Sequence, residues 1–520
     1  MTDVRIITEP LGGSALSLVI QRGDAPAHWK WSVPGSAEQW RERVSRRVKE
    51  HDWVARWKAL APALQAGGAA AARLARVQRE GGVVVTTGQQ PGLFGGPIYT
   101  WSKAMSAIAL ADAIQSATGV PTAPIFWAAT DDADFAEASS TVVARTGGAD
   151  LLRASLVPEP GTPMALAPLG DLAEALRRLH DASGSGADPR PLAVVDDAYG
   201  APERATGDAF VQLLRALLEP LGMAVLDASH DAIAEASEPT LRAALRHAAT
   251  IERALARRAA EILVLGHDPQ VEDVAGLSLV FARDGRIKRR LPIEGLARVA
   301  DRLTPNVLLR PIVEHEILPT VAYVAGPGEL AYFAQVSAVS DALGIEAPLA
   351  VPRWSCTLIE PHVDALLRRF EVSASALAVA NALEGRLARQ AMRPESADTL
   401  ARLRQVLADL PNALADDSAR MGLSRAVQGA ANSMLQRVDR LERRLLAGLK
   451  RQEAEAMTDV ATLRGALYPR GVRQERALNA IPLFARHGLE LLGDMRDAAR
   501  PHATALVSPV HAPLPEVSPR

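Results

Sequence analysis

Cysteine is almost missing from this chain of 520 residues. The single Cys356 excludes an intrachain disulfide framework and any multi-cysteine metal site, and it fits a protein of the reducing cytoplasm. With no Cys/His arrangement around it, Cys356 reads as a core residue rather than a nucleophile. Neither sign of charge is in excess: 58 Lys+Arg stand against 60 Asp+Glu, a formal net charge of −2. No global basic field therefore points to nucleic acid or to an acidic membrane. Runs of about 18 apolar residues are absent, and the first twenty residues lack a basic region followed by a long apolar stretch. The expectation is a soluble, untargeted, cytoplasmic protein whose partners are small molecules or a second copy of itself. Lysine is scarce beside arginine, and the two are not interchangeable, so Lys30, Lys49, Lys58, Lys103, Lys288 and Lys450 are places where Arg was not used; of these Lys103 sits in the first turn after the glycine loop. Aromatic residues make up only 4%, yet of the five tyrosines all but Tyr199 fall in motif-like stretches: Tyr99, Tyr323, Tyr332 and Tyr468.

The stretch "VVVTTGQQPGLFGGPIYTWSKAMSAIALADAI" (83–114) reads as strand, glycine loop, helix. Val83 to Val85 are β-branched and apolar, the pattern of a strand covered on both faces. Gly88, Gly92, Gly95 and Gly96, with Pro91 and Pro97, permit tight turns and close backbone approach. From Thr100 the apolar residues Met105, Ile108, Ala109 and Ala113 recur at the spacing of an amphipathic helix. In a doubly wound sheet the loop lies at the carboxyl edge, where free N–H groups at the next helix's start can take a phosphate or carboxylate. The spacing matches neither the dinucleotide fingerprint nor the Walker A loop.

The length allows a large core and at least one further domain. Residues 36–80 read as Arg/Ala-rich helix ending before Gly81-Gly82, and "APIFWAAT" (123–130) as a second strand. Residues 147–205 are rich in Gly, Pro and Ala and read as an insertion with exposed loops and a short helix near 170–181. A strand at 221–229 and helix over 231–263 follow, then a hairpin at 277–293 with Asp284-Gly285 at its turn. Residues 304–335 give a helix, a buried strand around Thr320 to Val324, and a second glycine loop opening a helix; 347–361 reads as a last core strand. Two glycine loops after two buried strands predict a doubly wound parallel α/β sheet. From 361 to about 465 the chain is nearly continuous helix. Val427, Ala431, Met434, Val438, Leu441 and Leu445 alternate in steps of four and three, a coiled-coil seam, and Pro411 and Gly422 bound the turn of a helical hairpin. That seam docks within the hairpin or across a dimer axis; both stay open. The tail from Pro501 reads as loosely ordered.

Several side chains have the chemistry of a site. "ATDDADF" places Asp131, Asp132 and Asp134 at the end of a core strand, where carboxylates can receive an ammonium group, bind sugar hydroxyls, hold Mg²⁺ or act as a base. "AGPGELAYF" puts Glu329 in the first turn of a helix with Tyr332 on the same face. Arg310 and Asn306 in "TPNVLLRP" can grip a carboxylate or phosphate. His267 in "LGHDPQV" is a candidate acid-base residue. His315 has Glu314 and Glu316 beside it, but adjacent residues do not share a helix face, so no metal site is expected there.

Five blocks, "VVTTGQQPGLFGGPIYTWSKAMSAI", "PIFWAATDDADF", "LRPIVEHEILPTVAYVAGPGELAYFAQ", "VPRWSCTLIEP" and "LYPRGVRQERALN", together resemble the cysteine-adding enzyme family of bacillithiol biosynthesis, BshC, in order over about residues 80–495. The resemblance implies a Rossmann-like core with inserted connecting segments, and a C-terminal α-helical coiled-coil domain that supports a homodimer. It also implies a ligase that adds L-cysteine to glucosaminyl-malate, and a distant kinship to nucleotidylyl transferases and class I aminoacyl-tRNA synthetases. Those relatives bear a His-x-x-His signature where this chain has Tyr99 and Ser102. Where the family reads Glu-Asp-His-Asp, this chain reads Asp131-Asp132-Ala133-Asp134, so no role of that histidine carries over. "LGHDPQV" resembles the family's Gly-Tyr-His-Pro-Gln block, which strengthens His267.

The expected organisation is a core in two parts (1–146 and 301–360), core strands with inserted segments (147–300), the coiled-coil hairpin (361–465) and a segment returning to the core with a Pro-rich tail (466–520). Amide formation needs an activated carboxylate and a deprotonated amine. Asp132, Asp134, Lys103 and His267 are the expected catalytic residues. Gly88, Gln89, Gln90, Gly95, Pro97, Tyr99, Asn306, Arg310, Glu329 and Tyr332 are expected to bind substrate, with no metal ligand assigned. ATP with Mg²⁺ is the candidate activator, which the sequence does not decide. The rival expectations are a nucleotidylyl transferase acting on another small acceptor and a non-enzymatic coiled-coil scaffold.

Overall fold

The structure, a computed structural model, describes residues 2–29, 32–272, 274–294 and 302–508. The expected division at 300/301 and the last residues of the tail, 509–520, lie outside the described residues. The chain forms two compact units: Met1–Val143, Leu151–Ile359 and Glu475–Arg520 make the larger, Ala144–Asp150 and Glu360–Gln474 the smaller.

Eight strands of the larger unit, in chain order, are β1 (Val83–Gln89), β2 (Thr122–Ala128), β3 (Ala224–Asp227), β4 (Leu277–Asp284), β5 (Ile287–Pro292), β6 (Leu303–Pro305), β7 (Thr320–Ala325) and β8 (Ala350–Pro352). Five of them form a parallel sheet in the order β8-β7-β1-β2-β3. β1 pairs with β2 along its whole length, Val83 opposite Thr122 through Gln89 opposite Ala128. All residues of β2 and β7 are buried, and all of β1 but Gln89, as continuous apolar and β-branched runs in a sheet covered on both faces should be. The chain walks outward from β1 to β3 and returns on the other side of β1 at β7. The strand order thus reverses between β1 and β7, and a crevice opens at their carboxyl ends. β4, β5 and β6 form a separate antiparallel sheet, with Gly285 at φ 59° in the β4–β5 turn.

Helices that position the site are α1 (Ala37–Lys49), α2 (Ile98–Thr118), α3 (Arg310–Ile317) and α4 (Pro327–Leu343). The smaller unit contributes α5 (Pro394–Ala413) and α6 (Ser424–Gln452), and the larger unit ends on α7 (Glu490–Val507). Four features differ from the sequence expectation. α2 is not amphipathic: Trp101 through Ala111 are all buried, because α7 and α1 pack on it as well as the sheet. Residues 501–507 are ordered helix, since Leu491, Leu492, Met495, Ala499, Ala503 and Val507 form a buried stripe that tolerates Pro501 within it. The predicted strand over 347–361 is broken at Arg353-Trp354-Ser355, and its second half, Cys356–Ile359, pairs antiparallel with Arg5–Thr8. The 147–205 stretch holds, besides the expected short helix (Ala173–Ser183), a second one, Pro189–Tyr199.

In the smaller unit α5 and α6 pack on one another, burying Leu400, Ala431 and Val438, and Arg404 bonds both Asp439 and Glu442 across the pair. Pro411 lies within the last turn of α5 rather than ending it. The seam is split: Met434, Leu441 and Leu445 are 46%, 50% and 42% exposed. α6 packs on α5 and on the helix Ala382–Gln390, and the other half of the four-three pattern is left on the uncovered flank.

Candidate active site

The crevice at the carboxyl ends of β1 and β7 is a cavity of about 640 Å³. Gly88, Gln89 and Gln90 line it from the end of β1, Gly326 to Glu329 from the start of α4, and Lys288 and Arg290 from β5. Gly88 is required here by close approach: a Cβ would stand 2.9 Å from the Trp127 carbonyl oxygen and 3.5 Å from the Tyr323 hydroxyl.

At the base lies a buried ion pair. Lys103 Nζ is 2.6 Å from Glu329 Oε2 and donates to Gly88 O (2.8 Å) and Gln89 Oε1 (2.9 Å). Glu329 accepts from the Gly326 N–H (2.6 Å) and from Tyr323 OH (2.5 Å). Burial pushes the Glu329 carboxyl up, but Lys103, Tyr323 and the Gly326 N–H outweigh it and hold the group below the usual carboxylate range. Burial draws the Lys103 ammonium below the ordinary lysine value, with Glu329 opposing. Next to this pair Arg310 Nη2 donates to Tyr323 OH (3.1 Å) and Tyr332 OH (3.3 Å), and Nη1 to Glu314 (2.9 Å). Burial pushes the Glu314 carboxyl up to about 7, against the pull of Arg310.

A second network hangs on the glutamines. Gln89 Nε2 donates to Glu137 Oε2 (2.8 Å) and to Tyr99 OH (3.2 Å), which in turn donates to Glu137 Oε1 (3.0 Å). Burial and the Glu137 charge hold the Tyr99 phenol well above its ordinary value, so it stays a donor. Gln90 Nε2 donates to Asp132 Oδ2 (2.5 Å), and Lys288 Nζ donates to the Asp131 carbonyl (2.6 Å) and lies 3.5 Å from its carboxylate. Arg353 faces the cavity and forms a two-pronged pair with Glu475 (2.8 and 2.9 Å), both side chains 2% exposed.

The fold therefore gathers Gly88, Gln89, Gln90, Tyr99, Lys103, Asp132, Asn306, Arg310, Glu329 and Tyr332 at one cavity. Asn306 also caps the turn before α3, accepting from the N–H groups of Leu308 and Leu309. It does not bring Gly95, Pro97, Asp134 or His267 there. Gly95 (φ 84°) packs against Trp101 and Leu213, and Pro97 bridges to Asn479. The Asp134 carboxylate is turned to its own backbone, accepting from Ala136 N (3.0 Å), and is exposed. His267 sits in the turn after the helix Ala248–Val264 and is not part of the cavity wall.

The loop also differs from the expected anion cradle. Leu93 N donates to Glu137 O, Gly95 N to Gly92 O, Gly96 N to Leu93 O and Ile98 N to Leu478 O, while Asn479 Nδ2 holds the carbonyls of Leu93 and Phe94. These four N–H groups are engaged within the protein and are not open to an anion. Sequence reasoning passed over Glu137, Tyr323, Arg353, Lys288 and Arg476, all of which line the cavity. The rarity of lysine and of tyrosine was the available signal for Lys288 and Tyr323.

These features define a Rossmann-like α/β enzyme with a helical coiled-coil domain and a charged cavity at its switch point. Family profiles divide the chain the same way: "Bacillithiol biosynthesis BshC, N-terminal Rossmann-like domain" matches residues 28–296 and 289–354, and the corresponding "C-terminal coiled-coil domain" matches 356–506. The chain belongs to the BshC family and is an enzyme of the ligase class. Among its relatives, each called "Putative cysteine ligase BshC", that of Solibacter usitatus is 31% identical over 464 residues, 85% of this chain and 87% of that protein. The Koribacter versatilis relative is 33% identical, covering 83% and 85%, and the Salinibacter ruber relative 28%, covering 81% and 82%. Among the described residues no helix is long and apolar enough to cross a membrane.

Proposed function

We propose that this chain joins the carboxyl group of L-cysteine to the amine of glucosaminyl-malate in the cytoplasm, forming an amide as the last step of bacillithiol biosynthesis. The observation that carries this reading is the mixed charge of the cavity. Asp131, Asp132 and Glu137 line it together with Lys288, Arg310 and Arg476. An attacking amine needs a carboxylate to orient it and take its proton, and substrates bearing carboxylates need cations to hold them. Asp132 is the base in this reading. Its carboxylate is fixed by Gln90 on one oxygen and by the Asp134 N–H on the other (3.0 Å), which aims it without burying it. Arg310 and Arg476 receive the carboxylates of malate or cysteine. Lys103, with its contacts to Glu329, Gly88 and Gln89, acts as the internal support that holds the Glu329 side chain in the wall. A volume of about 640 Å³ suits small substrates. The cysteine carboxyl has to enter this step activated, as an acyl phosphate or adenylate, so that phosphate or AMP leaves as the amide bond forms; the four loop N–H groups engaged within the protein take no part in holding that group.

The exposed flank of the hairpin supports a homodimer. Met434, Leu441 and Leu445 on α6, with Leu403 and Val406 on α5, form an apolar strip that a second copy would cover.

The test is thiol and precursor profiling by mass spectrometry in a bacillithiol-producing strain deleted for its own cysteine-adding gene. Restored bacillithiol with loss of accumulated glucosaminyl-malate is the expected result. A folded, expressed chain that leaves the precursor high would assign the cavity to a different substrate.

A further inference from the structure

His315 has no metal-binding neighbour in sequence, but the fold supplies two. Glu50, at the end of α1, and Glu346, in the loop after α4, approach His315 in α3, so that one ligand atom from each residue lies within 4.8 Å of the others. His315 is 1% exposed, and neither Nδ1 nor Nε2 has a hydrogen-bond partner. An imidazole always carries at least one N–H, and in its neutral form one lone pair; leaving both ring nitrogens unmatched in the interior is unfavourable and calls for an explanation. Either ring nitrogen can supply that lone pair to a ligand.

One oxygen of each carboxylate lies within 4.8 Å of one of the other, an arrangement that like charge opposes unless cations or a proton lie beside them. Three arginines satisfy only part of them. Arg47 Nη1 bonds Glu50 Oε2, and Arg43 Nη1 (3.3 Å) and Arg46 Nη2 (3.1 Å) bond Glu346 Oε1. Glu50 Oε1 is 3.8 Å from Arg46 Nε, beyond hydrogen-bond distance.

We propose that Glu50, His315 and Glu346 form a three-ligand site for a divalent first-row transition ion of the zinc type, joining the end of α1, α3 and the loop after α4. One imidazole nitrogen with two carboxylate oxygens is a borderline donor set that favours such an ion over Mg²⁺ or Ca²⁺. The site is distinct from the cavity, and its role is to fasten α3, the helix that also carries Arg310 and Glu314.

The test uses the full-length chain stripped with a chelator and titrated with Zn²⁺ against a chromophoric competitor, with thermal melting in parallel. The expected result is one equivalent bound by the wild type and by Asp132→Asn, at least tenfold weaker binding in His315→Gln and Glu346→Gln, and a zinc-dependent rise in Tm confined to the first two. Should His315→Gln fail to fold, Glu346→Gln, on an exposed loop, carries the test alone. Equal zinc affinity in the wild type and Glu346→Gln, or no binding by the wild type, would overturn the proposal and leave a proton shared between the two carboxylates.

Discussion

Lys103→Met removes one member of the most deeply placed ion pair of the cavity while keeping most of the side-chain volume. The side chains of Lys103 and Glu329 are 4% and 17% exposed, and their charges are 2.6 Å apart. Deleting one partner of a buried pair costs about 3–5 kcal/mol, because the other charge is left without compensation. Glu329 would keep the Tyr323 hydroxyl and the Gly326 N–H, which places the expected loss at the lower end, about 3 kcal/mol, or roughly a hundredfold in the folding equilibrium. Removing both charges in Lys103→Met/Glu329→Gln should recover about 1–2 kcal/mol of that loss, the size of coupling usual between contacting residues. Urea unfolding of the full-length chain, followed by tryptophan fluorescence, reads both quantities. The pH dependence has a definite sign. Glu329 is held below the usual carboxylate range, so its stabilising contribution is complete above its unfolded-state pKa and is lost as the pH falls through its folded-state pKa. In Lys103→Met, burial raises the Glu329 carboxyl instead, and this acid-side loss should disappear. A single variant within about 1 kcal/mol of the wild type, or a double variant no more stable than the single, would refute the assignment of Lys103 as the support of Glu329.

Asp132→Asn should lower turnover by about a hundredfold or more with an unchanged melting temperature, since the carboxylate is partly exposed and its proposed role is proton transfer; ordinary amide formation in a direct assay would remove it as the base. Arg353→Ala should destabilise the larger unit by about 3 kcal/mol in a denaturant melt, because Glu475, 2% exposed, loses its cationic partner and keeps only neutral donors such as Ser355 Oγ. Met434→Lys combined with Leu441→Lys should turn a dimer into a monomer by sedimentation while leaving helix content intact, as both side chains face solvent within one chain. His267→Ala should leave the Michaelis parameters unchanged, its ring lying outside the cavity wall; a large fall in turnover would restore it to the site.

What the sequence determined by itself is the part governed by short-range rules. The runs Val83 to Val85 and Thr320 to Val324 could only be buried strands, Asp284-Gly285 could turn a hairpin, and the glycine loops marked where two strands end. Those elements predict two loops opening at one edge of the sheet, whereas the strand order that makes β1 and β7 neighbours comes from the tertiary structure. Lysine is rare, which with its place after the glycine loop marked Lys103; Lys288 carried no such second signal. The tertiary structure decided which groups meet. Arg353 and Glu475 are 122 residues apart, and Glu50, His315 and Glu346 lie on three separated segments. The glycine loop looked ready for an anion from its own residues, yet the N–H groups of Leu93 and Ile98 are taken by Glu137 and Leu478 and the carbonyls of Leu93 and Phe94 by Asn479. α2 carried an amphipathic pattern, but α7 covers its outer face. Local patterns report how a segment solves its own backbone and burial needs, whereas the state of a buried donor or charge depends on whichever distant surface is pressed against it.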